Sequence, residues 1–364
     1  MKQILNNFSK EYSLFVAILA YFSITYFEHT LVQTTMGNLV GFGLLFAVII
    51  YTAMSVAHHA EKLAEKFGEP YGTLILTLSA VLVEIVIIAI MMVHEHNPHL
   101  ARDTIYAAIM LDINALLGLA AIIGGIRHGV QPYNINSSNS YLSMLLVAIG
   151  IAMVVPHFVD AAHLQGYMLF TVILFVLLYM TFTRIQVASH KYFFEYIPLE
   201  SQVCDMNDDT CQDATINGWY HGSNLVVSII IIGVLSEVLA VFMSNTLSAY
   251  GLPLSIGAVG VAVISASPEL ITAVRAALDN RMQTVVNIAF GASLATVLLT
   301  VPAMMIVTYA IGLDIDLAIT PVQGVMLGLT LLIGIVNFND GETNVLEGFL
   351  HVVLFAVFVY LLFV

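Results

Sequence analysis

The chain has 364 residues, of which 60% are hydrophobic and 9% charged, and it carries a net charge of −14. A mean hydropathy of +0.95 excludes an ordinary water-soluble domain and matches a polytopic membrane protein. The acidic excess is spread over loops, with one concentration near the middle of the chain, so it gives no support for a nucleic-acid partner.

A hydrocarbon layer of about 30 Å takes roughly 20 apolar residues per helix. That ruler predicts helices near 12–27, 37–57, 71–93, 104–125, 141–160, 166–187, 223–244, 254–278, 284–311, 318–336 and 345–364. The fold class is therefore an all-α membrane bundle of eleven helices embedded in a lipid bilayer. The first apolar run follows Lys2 and Lys10 as a signal sequence would, but no small-residue cleavage pattern comes after it, so it reads as a helix.

Basic residues collect on cytoplasmic loops. With the N-terminus inside, Lys2, Lys10, Lys62, Lys66, Arg127, Arg184, Lys191, Arg275 and Arg281 fall on cytoplasmic ends and only Arg102 falls outside. The localisation expected is a plasma membrane, the bacterial inner membrane, with a cytoplasmic N-terminus.

The predicted organisation is an N-terminal helix (1–36), five helices (37–187), an acidic connector (188–222) and five more helices (223–364). Five is odd, so the second block enters the membrane from the opposite side, which makes the two blocks inverted repeats. Transporters of that architecture place their site near the midplane between the halves. The connector carries Glu195, Glu200, Asp205, Asp208, Asp209 and Asp213 and lacks the ligand ladder of an EF-hand loop, so a solvated tether is favoured over a calcium sensor. Cys204 and Cys211 in the same segment read as ordinary reduced thiols.

Two segments look like copies of one unit: GEPYGTLILTLSAVLVEIVIIAIMM from Gly68 and GLPLSIGAVGVAVISASPELITAVRAAL from Gly251. Each follows a Gly-x-Pro turn, and Glu84 and Glu269 lie 16 and 18 residues beyond the glycine. Counted from Tyr71 and Leu254, each glutamate is about 20 Å into its helix at 1.5 Å per residue, in the middle third of the bilayer. An ionised carboxylate at that depth costs at least a few kcal/mol and faces a partner or a water-filled path. Either glutamate alone has a plainer reading as a protonated acid in an interhelical hydrogen bond. Two at matching places point to a shared cation and proton site.

Pro268 cannot donate to the carbonyl of Ile264, so the helix is expected to open there and expose carbonyl ligands. Ser265 shares the Glu269 face, with Ser267 and Thr272 nearby, and Thr77 shares the Glu84 face with Ser79 further round. Carboxylates, hydroxyls and carbonyls are hard oxygen donors suited to Ca²⁺ or Na⁺. Burial and a close like charge both disfavour full ionisation, so an empty site of this kind retains at least one proton near neutral pH. Competition between Ca²⁺ and H⁺ for the same oxygens is a mechanism for antiport, provided the site is reached from one side at a time.

Further polar residues lie in the fourth and ninth helices: Asp112 and Asn114 in the former, Asn287, Ser293 and Thr296 in the latter. Asp112 reads equally as a third ligand or proton relay and as a packed acid bonded to Asn114. Glu237, and Glu347 with His351 at i,i+4, are weaker candidates for a proton route. The HEHNPH run at 94–99 carries Pro98 where a zinc-protease motif needs histidine, and reads as a polar loop.

Together GEPYGTLILTLS, RDTIYAAIM, SPEL, NIAFGASLATVLLTVP and TNVLEG resemble the cation/proton exchangers of the Ca²⁺:cation antiporter superfamily, closest to the bacterial ChaA type. The resemblance spans nearly the whole chain. It implies that Glu84 and Glu269 match the transport glutamates of the family's repeats and that the acidic connector matches the loop between its halves. It also implies export of Ca²⁺ in exchange for H⁺, with Na⁺/H⁺ and K⁺/H⁺ exchange also associated with this type. The G-N-x-x-E signature of many Ca²⁺/H⁺ exchangers is absent: Leu82-Val83 precedes Glu84 and Ser267-Pro268 precedes Glu269. That departure bears on ion selectivity more than on antiport. An enzyme is not expected, since no H-E-x-x-H, G-x-G-D or G-x-S-x-G constellation occurs. No resident cofactor is expected either, Ca²⁺ being the transported substrate. The sequence leaves the oligomeric state open, a homo-oligomer included.

Overall fold

The computed structural model describes residues 11–67, 71–195 and 216–363. Among them eleven apolar helices form the bundle: α1 (Tyr12–Leu31), α2 (Thr35–Phe67), α3 (Tyr71–Glu95), α4 (Leu100–His128), α5 (Ile135–Phe158), α6 (Ala161–Arg184), α7 (Gly218–Tyr250), α8 (Ser255–Leu278), α9 (Met282–Ile311), α10 (Pro321–Asn337) and α11 (Val345–Leu361). The first nine are long and apolar enough to cross a membrane, and α10 and α11 are shorter apolar helices. The architecture is one N-terminal helix plus two inverted five-helix repeats.

Hydropathy undercounts the first helix of each repeat. Helices α2 and α7 have 33 residues each, about 50 Å at 1.5 Å per residue, well beyond the 37–57 and 223–244 expected. An apolar ruler stops where the hydrocarbon stops. The extra turns, ending α2 at AHHAEKLAEKF and opening α7 at GWYHGSN, are polar and project together from one end of the bundle. There a Cβ on Gly218 would fall 2.7 Å from Lys66 Nζ, so the two helices meet closely. A polar cluster ties in α1: Glu11 Oε2 lies 3.2 Å from His59 Nε2, His59 Nδ1 lies 2.9 Å from His221 Nδ1, and the Tyr220 hydroxyl donates to Glu11.

Helix α4 is the pillar of the molecule, more buried than any other span among the described residues. Its N-terminal end is fixed by Arg102, whose Nε donates to Asp103 at 2.9 Å and whose Nη1 donates to the Ala318 carbonyl at 3.2 Å. Gln323 also donates to Asp103, at 2.9 Å. At the other end Gln131–Pro132 pairs antiparallel with Glu342–Thr343, and Gln131 Nε2 donates to the Ala277 carbonyl at 3.0 Å. Both ends of α4 are therefore bonded to the second repeat.

Among the described residues π turns occur at Gly150–Val154 in α5 and at Ile185–Ser189 after α6, and two more lie at mid-span beside the acids. Leu111–Leu116 of α4 and Thr296–Thr300 of α9 are π turns, one in the third helix of each repeat. Such turns shift the hydrogen-bond register and often mark functional sites. The opening expected at Pro268 does not occur. Helix α8 runs from Ser255 to Leu278 through the proline, and the irregular backbone lies in its neighbours instead. Hydroxyls hold the turns around Pro268, with Ser267 donating to the Val263 carbonyl and Thr272 to the Pro268 carbonyl.

Candidate cation and proton site

Helices α3, α4, α8 and α9 converge on a cavity of about 400 Å³. Glu84 of α3, Asp112 of α4 and Glu269 of α8 all line it, with Ser265 and Thr296 beside them at the deep end. The lining continues past Thr272 and Asn287 to Glu61, Ala64, Gln186 and Thr284. These last residues lie near the ends of α2 and α6 and the start of α9, the end of the bundle where Lys62, Lys66, Arg127, Arg184, Arg275 and Arg281 collect. Among the described residues, no lining side chain lies beyond the level of Glu84 and Ala108 towards Arg102.

Glu84 is 3% exposed although it is an acid at mid-span. Its Oε2 accepts hydrogen bonds from Thr300 at 2.6 Å and Thr296 at 3.1 Å, both on the π turn of α9, and its buried Oε1 has no hydrogen-bond partner. A buried oxygen left unpartnered costs free energy unless something else satisfies it. Asp112 repeats the pattern from the π turn of α4: Oδ2 accepts from Ser293 at 3.1 Å and buried Oδ1 is unpartnered. Glu269 is half-buried on the cavity wall. Three carboxylates thus face one space, and two of them each hold one oxygen free of hydrogen bonds.

The remaining expected residues divide. Thr77, Ser79, Ser265 and Asn287 line the cavity, Ser79 more directly than its helical position promised. The hydroxyls of Ser79 and Ser265 donate to the Ile75 and Ala262 carbonyls, which leaves their oxygen lone pairs for the cavity. Asn287 is held by Gln283, which donates to its Oδ1 at 2.9 Å, and it donates to the Phe194 carbonyl at 2.9 Å. Ser267 is not among the lining residues, and its hydroxyl donates to the Val263 carbonyl of its own helix. Ser293 acts through Asp112 rather than facing the space.

Asn114 is not bonded to Asp112. It turns the other way, donating to Thr330 Oγ1 at 2.8 Å, with Oδ1 lying 3.1 Å from His351 Nδ1. Two positions apart on a helix are on opposite faces, so one π turn serves both directions. Glu347 and His351 do not form a pair either: Asn344 donates to Glu347 at 2.7 Å while His351 reaches Asn114. Glu237 is exposed on the outside of α7. In the 94–99 loop, His99 Nδ1 lies 3.2 Å from Asp316 Oδ2, and among the described residues no group of three His, Cys, Asp or Glu is arranged to hold a metal. Gly68 and Pro70 of the first turn, Cys204, Cys211 and the acids from Glu200 to Asp213 lie outside the described residues.

Thr300, the shortest contact to Glu84, was not singled out from the sequence. The signal for it is the spacing of Thr296 and Thr300, four apart on an otherwise apolar helix. Tyr141, Tyr179 and Gln186 at the vestibule carry no sequence signal that separates them from packing residues.

The profile of the sodium/calcium exchanger protein family matches residues 37–188 and 223–364. The sodium-potassium/proton antiporter ChaA of Escherichia coli (strain K12) is 31% identical over 324 residues, covering 86% of each chain. A Ca²⁺/H⁺ antiporter of Aphanothece halophytica is 24% identical over 314 residues, covering 82% of this chain and 83% of that one. Among solved structures, native YfkE superposes with a TM-score of 0.76 at 20% identity, covering 96% of this chain and 99% of the other. The sodium-calcium exchanger NCX_Mj superposes with a TM-score of 0.57 at 18% identity, covering 90% and 99%.

Proposed function

The chain belongs to the sodium/calcium exchanger protein family, and from that premise we propose that it is a secondary antiporter, not an enzyme, exchanging cytoplasmic Ca²⁺ for external H⁺ through Glu84 and Glu269. The observation that carries this reading is that Glu84, Glu269 and Asp112 line one cavity at mid-span. Ionised carboxylates in such a place are costly unless neutralised. Two protons or one divalent cation neutralise the glutamate pair equally, so each expels the other. Hydroxyls of Thr77, Ser79 and Ser265 supply further hard oxygens of the kind Ca²⁺ uses.

Antiport also needs the site to open to one side at a time. The basic end of the bundle is assigned to the cytoplasm by the positive-inside rule, which puts that end of the cavity inside and the N-terminus cytoplasmic. On the outer side Arg102, Asp103, Ala318 and Gln323 hold the closure. The repeats at 37–187 and 223–364 then rearrange around the site, with 1–36 and the connector 188–222 outside the exchange unit.

A second reading, Na⁺ or K⁺ exchange for H⁺ at the same site, is favoured by the 31% identity to a sodium-potassium/proton antiporter. The deciding experiment loads proteoliposomes with a preset pH gradient and adds Ca²⁺, Na⁺ or K⁺ in turn. Collapse with Ca²⁺ is the expected result. Collapse with only Na⁺ or K⁺ replaces the first reading by the second, and collapse with none removes both.

A further inference from the structure

We propose that His351 is a positioning residue for the exchange site: through Asn114 it sets the azimuth of the α4 π turn so that Asp112 faces the cavity. The inference rests on the reading of that cavity as the exchange site.

The Asn114 amide sets the direction of the hydrogen-bond chain, with Nδ2 on the side of Thr330 and Met110, 3.6 Å from Met110 Sδ. Met110 Sδ only accepts, and Thr330 Oγ1 donates to it at 3.5 Å. The oxygen of Thr330 is then the acceptor for Asn114 Nδ2 at 2.8 Å. That fixes the amide, leaving Asn114 Oδ1 to accept, so the hydrogen in the 3.1 Å contact sits on His351 Nδ1. The other ring nitrogen, Nε2, is buried without a hydrogen-bond partner. The single polar task of this fully buried ring is therefore to donate to Asn114. Leucine would fill the same place without leaving a nitrogen unsatisfied, so the donor itself accounts for the histidine.

His351 is also well placed as a fixed reference. Helices α4 and α11 meet backbone to backbone: a Cβ on Gly118 would fall 2.9 Å from the Gly348 carbonyl oxygen and 3.0 Å from His351 Cβ. Phe338 packs on the ring at 5.7 Å between centroids. Asn114 and Asp112 lie two positions apart in Leu111–Leu116, on opposite faces, so clamping the first from α10 and α11 orients the second towards α3, α8 and α9. A π turn has a looser register than an α-helix and gains more from such a clamp.

The test measures the half-saturating concentration of whichever cation the wild type exchanges for H⁺ in proteoliposomes. His351→Leu is expected to raise it about five- to tenfold, the size of one lost buried hydrogen bond, with the maximal rate within about twofold. His351→Asn places an amide N–H close to the position of Nδ1 and is expected to restore the wild-type value. In an Asp112→Asn background His351→Leu is expected to add no further shift. If Asp112→Asn abolishes exchange, the same comparison is read from cation-dependent thermal stabilisation of the purified protein. Should His351→Leu fail to fold, Thr330→Val loosens the same amide from the other side and is expected to give the same shift. An equal shift in both backgrounds, no rescue by His351→Asn, or a well-folded Thr330→Val with wild-type affinity overturns the inference alone. A wild type that exchanges no cation overturns the reading of the site and the inference with it.

Discussion

Glu84 is held as a ligand in waiting is held: one oxygen tied by two threonines, the other bare and turned into a cavity. Thr300→Val removes the shorter of these bonds at nearly constant volume. The expected result is about a tenfold rise in the half-saturating cation concentration, because a hydrogen bond to a charged group contributes about 1.5–3 kcal/mol and part is recovered by relaxation. Ser267→Ala provides the contrast. Both hydroxyls bond to their own helix but only Ser265 lines the cavity, so cation affinity is expected to stay within about twofold in Ser267→Ala while the same change at Ser265 weakens it; equal losses at both would contradict the placement. At this scale the lining of one cavity by both Glu84 and Glu269 was legible, because two acids at matching depth in two like segments stand out as a pair where either alone does not. Thr300 and the turn of Asn114 away from Asp112 were not. Both depend on where a π turn lies, and no residue type marks one.

The π turns are the element on which the site depends. Leu111–Leu116 and Thr296–Thr300 rotate Asp112 and the two threonines into register with α3 and α8. Deleting Ile113, the one extra residue that the wide turn accommodates, is expected to restore a regular helix with its flanking turns in place and to turn Asp112 off the face it now presents to the cavity. Loss of exchange with retained expression is the predicted outcome, measured by pH-gradient collapse. Retained exchange would show that the turn is incidental. Packing sets a separate limit: Gly118→Val would drive a branched side chain into the Gly348 backbone, and lower yield and thermal stability are expected from overpacking of about 1–3 kcal/mol or more. The element count was legible from hydropathy, since eleven apolar runs correspond to eleven apolar helices among the described residues. The lengths of α2 and α7 were not, because their polar turns pack on each other outside the hydrocarbon. Pro268 misled in the opposite way: a missing N–H predicts a break, but the neighbouring hydroxyls and tight helix packing carry α8 through it.

For the whole molecule, Lys62, Lys66, Arg127, Arg184, Arg275 and Arg281 share one end of the bundle with the Glu61, Gln186 and Thr284 part of the cavity lining. If that end is cytoplasmic, a cysteine at Gln186 in a Cys204→Ser, Cys211→Ser background is expected to react with a membrane-impermeant thiol reagent only from the inside, and a cysteine at Asn97 only from the outside. Reaction of both from the same side would refute the topology. The inverted repeat was legible from parity alone, five spans on each side of a polar connector. Which side the cavity opens to was not, since that is a property of packing between repeats and not of either one.

The most direct measurement is uphill transport. Proteoliposomes holding the purified protein, with the membrane potential clamped, are given an outward proton gradient and ⁴⁵Ca²⁺ outside at a concentration equal to that inside. The account predicts Ca²⁺ accumulation that depends on the gradient and falls at least about 100-fold in both Glu84→Gln and Glu269→Gln. Accumulation that persists in either variant, or wild-type Ca²⁺ movement that only runs downhill, would contradict it.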